Sequence, residues 1–334
     1  MKFSTIKNLF PAGFFAGLLA LGILLYKDYG ISLDEPAQRL VGIVNLNFIA
    51  QVFGIESILE NHHFASFRTQ SLMDIQDRHY GVIFEIPAAL IELFLDPLQA
   101  HLIFPLRHLL TFIYFLVGVL ALYYLAKLRF GSVGIALLAC LMLILSPRFF
   151  ADGFYNDKDI VFLSTFLLAS LTMVRFLISP NRRMGLVHAV TSAIAIDTRL
   201  IGFAIPLVTI SLLLIKYSKA QFTFRNTISV ILIYILFTCI AVIFFWPYLW
   251  VDPVNHLIEA FEYISRHPHS AAIMFQGKEV LTSQLPWFYI PIWIGITTPI
   301  FYLVFFSIGL INTLYKFYKT KFQVFENKER LIDL

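Results

Sequence analysis

Residues 9–35 read LFPAGFFAGLLALGILLYKDYGISLDE, an apolar run followed closely by the acidic pair Asp34-Glu35. The run 9–26 is long enough to cross a bilayer, which takes about 17–25 apolar residues. The acidic pair is therefore predicted to lie at a membrane surface, where carboxylates are costly and usually mark a functional site. The alternative is a solvated acid that caps a helix beginning at Pro36. We favour the functional interpretation.

The composition indicates a polytopic membrane protein. Of the 334 residues, 59% are hydrophobic and 14% are charged, whereas a soluble domain is about half apolar and a quarter charged. The formal net charge of +4 is too small to favour a nucleic acid as a partner. Membrane lipid is therefore the expected surroundings of most of the chain.

The hydropathy pattern predicts an all-α fold and one membrane domain over residues 1–334. It predicts eight transmembrane spans, at 9–26, 106–126, 132–147, 159–178, 184–196, 200–216, 228–246 and 290–315. We expect Pro147 to end the third span, since proline disrupts a continuing helix. The spans leave two large outer segments, 27–105 and 247–289.

The basic residues predict the orientation. Lys and Arg without acids occupy the loops 127–131, 179–183 and 217–227, and further Lys residues follow the last span. By the positive-inside rule, these loops and both termini are cytoplasmic. All the acidic residues then lie on the outer side, except Glu326, Glu329 and Asp333 in the tail.

Both large outer segments are too apolar for free loops. Three stretches alternate apolar and polar residues in the manner of amphipathic helices that lie along a membrane surface; they are 36–59, 81–95 and 253–265. We expect Glu85 and Glu92 to form the polar face of the second. The aromatic cluster 244–250 is most simply an interfacial belt.

The remaining polar residues gather on the predicted outer side. They form the groups Asp34-Glu35, Asp77-Arg78-His79-Tyr80, Arg107-His108, Asn156-Asp157-Lys158-Asp159 and Asp197-Thr198-Arg199. A carboxylate can deprotonate an incoming hydroxyl, while Arg gives bidentate contacts to phosphate and Lys a point charge. The combination suits the transfer of a sugar from a lipid phosphate, whose leaving group needs cations.

Simpler interpretations stay open for several of these groups. Asn156 and Asp159 could only cap the fourth span, and Arg199 could form a structural ion pair with Asp197. Arg107 and Arg148 could extend toward lipid headgroups. The spacing of His256, Glu259, His267 and His269 matches no strong metal-ligand motif, so we expect solvated histidines there. Whether the acids bind a divalent cation stays open.

Motifs along most of the chain carry a family resemblance. They are Asp34-Glu35-Pro36, His79-Tyr80-Gly81, Phe84-Glu85, Arg107-His108, Ser146-Pro147-Arg148, Asn156 with Lys158-Asp159, Asp197-Thr198-Arg199, Trp246-Pro247-Tyr248, Leu285-Pro286-Trp287 and Thr298-Pro299. In order and spacing, they resemble GT-C membrane glycosyltransferases of the family 39 type. These are relatives of protein O-mannosyltransferases and of the bacterial aminoarabinose transferase of lipid A.

The resemblance implies transfer of a sugar from a polyprenyl phosphate to an acceptor hydroxyl on the outer face, with inversion. It implies that Asp34 is the base, with Glu35 beside it, that Asp159 is a second catalytic acid and that Lys158 contacts the donor phosphate. The remaining candidates for substrate contacts are Asn156, His79, Tyr80, Arg107 and Arg199. Relatives often have Pro at the position of Asp157, which is either an extra carboxylate or a cap.

The same resemblance favours a bacterial plasma membrane, although an endoplasmic reticulum location would fit the same topology. Relatives usually continue for several more spans, so a fragment, a truncated gene product and a short family member are all open. The sugar stays open, and so does the acceptor, which could be a protein, a lipid or a glycan. Two other functions compete, namely a transporter or flippase for a lipid-linked sugar and a non-catalytic scaffold subunit. Transporters tend to place charges at the bilayer midplane within paired repeats, and neither feature is evident in this sequence.

Overall fold

The computed structural model describes residues 2–218, 224–266 and 271–319. These residues form two compact units, one ending at Ala260 and one beginning at Phe261. The structure is 79% helical, which confirms a nearly all-α fold. The predicted inner loop 217–227 and the tail 316–334 lie partly outside the described residues.

The first unit is a helical bundle with short connecting segments. Its helices are α1 (Lys2–Leu25), α2 (Glu35–Phe53), α3 (Glu56–Leu59), α4 (Glu85–Glu92), α5 (Ile103–Phe130), α6 (Val133–Ile144), α7 (Pro147–Tyr155), α8 (Asp159–Ile178), α9 (Arg182–Thr198), α10 (Ala204–Ser218), α11 (Phe224–Phe245) and α12 (Pro253–Arg266), whose last residues belong to the second unit. Gly131 ends α5 in the left-handed conformation that favours glycine.

Several helices are long and apolar enough to cross a membrane. Within the described ranges, four qualify singly, namely Pro97–Phe130, Asp159–Ile178, Ile228–Phe245 and Ile300–Lys319, and α6 with α7 makes a fifth if that pair counts as one span. The shorter apolar stretches Leu9–Leu25 and Leu200–Lys216 coincide with two more predicted spans. The multi-pass character is thus supported, while the number of eight spans stays a prediction.

The third predicted span differs from the structure at its end. α6 stops at Ile144, and α7 begins at Pro147 with a bend of 71° between the two helices. Pro147 therefore starts a helix rather than ending one. Proline is well suited to a first turn, because the backbone N–H that it lacks has no partner within the helix there.

The second unit contains α13 (Tyr289–Thr297) and α14 (Ile300–Lys319). The prediction of one continuous span over 290–315 is wrong, because the helix breaks between them. Thr298 has φ −95° and ψ 127°, an extended conformation. A residue before proline avoids the helical region, so Pro299 accounts for the break.

A β-hairpin in the second unit was not predicted. β1 (Ala272–Phe275) pairs antiparallel with β2 (Lys278–Leu281), and Phe275 lies opposite Lys278. Gln276 and Gly277 form the turn with φ of 51° and 77°. Two positive φ values are typical of a type I′ turn, whose twist matches that of the paired strands.

α5 is the central helix of the first unit and contacts α1, α6, α7 and α8. Its buried rings Phe112 and Phe115 lie in an aromatic core with Phe154 of α7, and the rings of Phe112 and Phe154 stack with centroids 4.6 Å apart. Gly118 of α5 lies close to Ser164 of α8, and such small residues at a helix contact are common between membrane helices.

The helices α2 and α4 pack against each other, and this packing corrects one prediction. Glu85 and Glu92 are 3% and 1% exposed, so they do not form the polar face of a surface helix. Glu92 accepts a hydrogen bond of 2.8 Å from Arg39 of α2. An ion pair thus joins the two helices, while their position along a membrane surface stays a prediction.

We expect Gly118→Ala to destabilise the protein. A Cβ at this position of α5 would lie 2.6 Å from Ser164 Oγ and 2.8 Å from its Cα, so α5 and α8 would have to separate. Overpacking of this kind costs about 1–3 kcal/mol. The thermal unfolding midpoint in detergent should fall.

The control is Gly17→Ala in α1, where nothing lies within 4 Å of an added Cβ. This variant should keep or raise the midpoint, because alanine favours a helix over glycine by about 1 kcal/mol. Equal midpoints for the two variants would contradict the close contact between α5 and α8.

Candidate functional site

The N-terminal ends of several helices bring charged residues together. Glu35 begins α2, Glu85 begins α4, Arg107-His108 lies in the second turn of α5, and Asp159 begins α8. The positive end of a helix dipole favours acids at such positions. Segments far apart in the sequence therefore form one charged cluster in the first unit.

Arg107 is the buried centre of this cluster. Its Nη2 donates hydrogen bonds to Glu85 Oε2 at 2.5 Å and to Asp157 Oδ2 at 2.9 Å, and all three side chains are at most 5% exposed. Burial raises the pKa of Glu85 to about 8, although the Arg107 charge opposes this rise. Burial also raises the pKa of Asp157. Two carboxyl groups thus share one cation, Arg107. We infer that Glu85 keeps a proton at neutral pH.

Sequence reasoning missed Glu85 as a member of this cluster and left Asp157 undecided. Asp157 is a buried partner of Arg107. A signal for both was present in the sequence, since an arginine in an apolar span needs an opposite charge nearby. The pattern of 81–95 instead suggested an exposed polar face, because periodicity does not reveal which polar residues find buried partners.

Glu35 and His108 form a second buried pair. His108 Nε2 lies 2.9 Å from Glu35 Oε1, and both side chains are 1% exposed. Glu35 Oε2 accepts a hydrogen bond of 2.6 Å from the backbone N–H of Ser32. The His108 Nδ1 atom lies 3.3 Å from the carbonyl oxygen of Tyr26, at the end of α1.

Asp34 is exposed at the N-cap position of α2. Its carboxylate accepts no capping hydrogen bond from the backbone of α2, so the capping alternative is not seen in the structure. The charge of the neighbouring Glu35 acts on the buried Asp157. Asp34 therefore presents an exposed carboxylate directly before the buried Glu35 in the chain.

Residues 156–159 lie at the start of α8. Asn156 Oδ1 accepts a hydrogen bond of 2.8 Å from the backbone N–H of Asp159, which is the contact expected of a helix cap. The largely exposed Asp159 also forms an ion pair with the partly exposed Arg199. The half-buried Lys158 places its ammonium 4.1 Å from the centroid of the Tyr80 ring, within cation–π range.

The alternative that Arg199 pairs with Asp197 is wrong. Asp197 is fully buried, and its Oδ2 accepts hydrogen bonds from the backbone N–H groups of Val82 and Ile83 at 3.0 and 2.6 Å. Gly81 lies directly against the Asp197 backbone, where any Cβ would overlap the Asp197 carbonyl. The motif His79-Tyr80-Gly81 thus fits a close contact between this segment and the end of α9.

His79 has a different environment. It is buried with its ring edge-on to Tyr248, and its Nε2 lies 3.9 Å from Glu259 Oε1. Burial lowers the pKa of His79, which favours the neutral imidazole. The Tyr248 hydroxyl donates a 2.5 Å hydrogen bond to Glu259, and His256 stacks on the Tyr248 ring.

No group of three or more His, Cys, Asp or Glu side chains is arranged to hold a metal ion in the part of the chain that the structure describes. His267 and His269, for which the sequence suggested solvated loop positions, lie outside the described residues. His256 is engaged with Tyr248, since its Nδ1 atom lies 2.6 Å from the carbonyl oxygen of Tyr248.

An apolar groove of about 650 Å³ lies beside the segment 80–87. The groove is lined by Ile49, Val52, Phe53, Val82, Ile83, Ile86, Pro87, Phe244, Phe245, Pro247 and Trp250. Residues of one segment thus face two surroundings, because Tyr80 and Glu85 contact the charged cluster while Val82, Ile83, Ile86 and Pro87 line the groove. A volume of this size accommodates a hydrocarbon chain or another apolar group.

Comparison with known proteins supports the resemblance seen in the sequence. Residues 86–250 match the model of a family described as dolichyl-phosphate-mannose-protein mannosyltransferase. The match supports a membrane glycosyltransferase of the GT-C type. Neither a curated protein nor a solved structure gave a significant match to the chain.

The raised pKa of Glu85 predicts how stability depends on pH. The folded protein holds the Glu85 proton up to about pH 8, whereas an unfolded chain releases it near pH 4.3. The unfolded state therefore binds fewer protons between these values, and this group lowers the stability as pH rises. We expect Glu85→Gln to reduce the fall in the unfolding midpoint between pH 6 and 9.

The control is Glu60→Gln, which changes an exposed acid in the same outer segment. Its pH dependence should equal that of the wild type. If Glu85→Gln also follows the wild-type curve, Glu85 is already ionised at pH 6 and the protonation assigned here is incorrect.

Proposed function

Taking the chain as a membrane glycosyltransferase of the GT-C type, we propose that it transfers a sugar from a polyprenyl-phosphate donor to an acceptor hydroxyl, with inversion. The observation that carries this proposal is the juxtaposition of two unlike surfaces on the segment 80–87. One side adjoins clustered acids and cations, and the other lines an apolar groove. A lipid phosphate has the same two-part chemistry.

Asp34 is the proposed base. Its exposed carboxylate takes the proton of the acceptor hydroxyl as the hydroxyl oxygen bonds to the anomeric carbon. The bond from that carbon to the phosphate oxygen breaks in the same displacement, and the phosphate leaves with the bonding electrons. A single displacement inverts the anomeric centre. Asp159 is a second candidate acid, held by Arg199 at the start of α8.

Lys158 and Arg199 are the proposed contacts of the donor phosphate. Both are partly exposed and lie near the start of α8, so a phosphate can reach them. Developing negative charge on the leaving phosphate is stabilised by such cations. Tyr80 and Asn156 hold Lys158 and Asp159 in place, whereas the buried Arg107 supports the site through Glu85 and Asp157.

We propose the topology that the sequence predicts, with eight spans, cytoplasmic termini and the active site on the outer face of a plasma membrane. The supporting observations are the basic inner loops of the sequence and the apolar helices of the structure. The helices α2, α4 and α12 would then lie at the outer membrane surface. A polyprenyl-phosphate sugar and membrane lipid are the proposed partners.

Asp34→Asn should abolish transfer. Purified protein in lipid is supplied with a panel of radiolabelled polyprenyl-phosphate sugars, and release of the sugar is measured. We expect turnover or slow donor hydrolysis in the wild type and at least about a 100-fold loss in the variant, since a general base contributes about 10²–10⁴-fold.

The matched control is Asp28→Asn, which makes the same change at another exposed acid of the same loop. It should stay within about twofold of the wild type. Full activity of Asp34→Asn would remove Asp34 as the base. Movement of the lipid-linked sugar between leaflets without consumption of an acceptor would replace the proposed transfer with transport.

The groove makes a separate prediction about the donor lipid. Val52 is 55% exposed within the groove, and Val52→Trp should fill part of the volume that the prenyl chain occupies. We expect the KM for a long-chain donor to rise at least about fivefold while the KM for a short-chain, water-soluble donor stays unchanged. Val254→Trp, at an exposed position outside the groove, is the control. An equal effect on both donors would contradict a role of the groove in binding the lipid tail.

A further inference from the structure

The chain offers two neighbouring carboxylates as a base, and their surroundings differ sharply. Asp34 is exposed and accepts no capping hydrogen bond from α2. Glu35 is 1% exposed, and both of its oxygens are engaged, one by the Ser32 N–H and one by His108. A buried carboxylate with both oxygens engaged cannot meet an acceptor hydroxyl. The two acids therefore have different tasks.

The chemistry of His108 indicates what the task of Glu35 is. Both ring nitrogens face oxygen atoms, the Tyr26 carbonyl at Nδ1 and the Glu35 carboxylate at Nε2. A carbonyl oxygen only accepts, so Nδ1 carries a hydrogen. Nε2 lies 2.9 Å from Glu35 Oε1, within ion-pair distance of that carboxylate. The contact is almost completely buried, since both side chains are 1% exposed.

The Glu35–His108 pair lies where it can hold the loop that carries Asp34. Tyr26 precedes the loop 27–34, and Glu35 follows it, so His108 of α5 contacts both ends of this loop. Inside the loop, the Tyr29 ring stacks on Phe154 at 4.4 Å, and Ser32 donates its N–H to Glu35. The loop that carries Asp34 is therefore fixed to α5 and α7 at several points.

We propose that His108 is a positioning residue, which acts through Glu35 and the Tyr26 carbonyl to hold the loop 27–34 and thereby Asp34 in its working conformation. The role of Asp34 as base rests on the proposed function, whereas the ordering of the loop does not. The proposal divides the acidic pair into one reacting group, Asp34, and one supporting group, Glu35.

The first test is amide hydrogen exchange of the full-length protein in lipid nanodiscs, which needs no catalytic activity. His108→Leu removes both polar contacts. We expect exchange in the peptide covering 27–35 to become at least about tenfold faster, while exchange in α6 and α8 stays unchanged. His108→Gln keeps an amide N–H that can reach Glu35, and it should recover part of the protection.

The second test separates positioning from general packing through steady-state kinetics with the donor found for the wild type. His108→Leu should lower kcat at least about tenfold and leave the donor KM within about twofold, because the phosphate contacts are intact. His108→Gln should restore a measurable part of kcat. His188→Gln is the matched control, since His188 is an equally buried histidine that contacts Thr172 and Thr209 far from the loop in sequence.

The outcomes distinguish this proposal from the proposed function. Faster exchange throughout His108→Leu, or unchanged exchange in 27–35, overturns the positioning role. A kcat of His108→Leu equal to that of the wild type also overturns it. If the wild type turns over no donor, the proposed function fails, and the exchange of residues 27–35 alone decides whether His108 orders the loop.

Discussion

The burial of Arg107 is the constraint on which the charged cluster of the first unit depends. A guanidinium taken out of water must be neutralised and hydrogen-bonded, or the fold loses several kcal/mol. Glu85 from α4 and Asp157 from the segment before α8 both accept hydrogen bonds from its Nη2 atom. The requirement of one side chain thus joins three segments that are far apart in the sequence, and it fixes where α4 and α8 begin relative to α5.

The surrounding polar contacts extend the same principle. Asp197 uses its carboxylate to bind two backbone N–H groups of the segment after Gly81, and Tyr114 donates a hydrogen bond to the carbonyl of Ile83. A segment without regular structure is therefore held by side chains of α5 and α9. This explains how irregular backbone can border both a charged cluster and an apolar groove while its buried polar groups find partners.

Much of the helical framework could be predicted from hydropathy, because an apolar run of sufficient length has few alternatives to a helix in a membrane. The helix α8 begins and ends where the sequence predicted. It was harder to predict the break at Thr298-Pro299 and the start of α7 at Pro147, because proline can either end or begin a helix. The hairpin 272–281 is short, and a run of four residues carries little periodic signal.

The sequence predicted which residues belong to the candidate site better than it predicted which of them contact each other. The outer groups near Asp34, Arg107, Lys158 and Arg199 were identified as polar residues in an apolar chain. Their partners were not, because pairing depends on tertiary contacts. Glu85 was assigned to an exposed face, and Arg199 was considered for Asp197 although it pairs with Asp159. The roles of these residues in catalysis remain the proposals made above.

The turn after α2 has a practical consequence. Gly54 ends this helix in the left-handed conformation, and the residues 51–57 around it are exposed. The segments that carry Glu35 and Glu85 are instead held by buried contacts on either side of this turn. Extra residues inserted next to Gly54 would add little loop-closure entropy and would leave those anchors in place. Val52 and Phe53 before the turn line the apolar groove, so a fluorophore, an affinity tag or a fused domain is best inserted after Gly54.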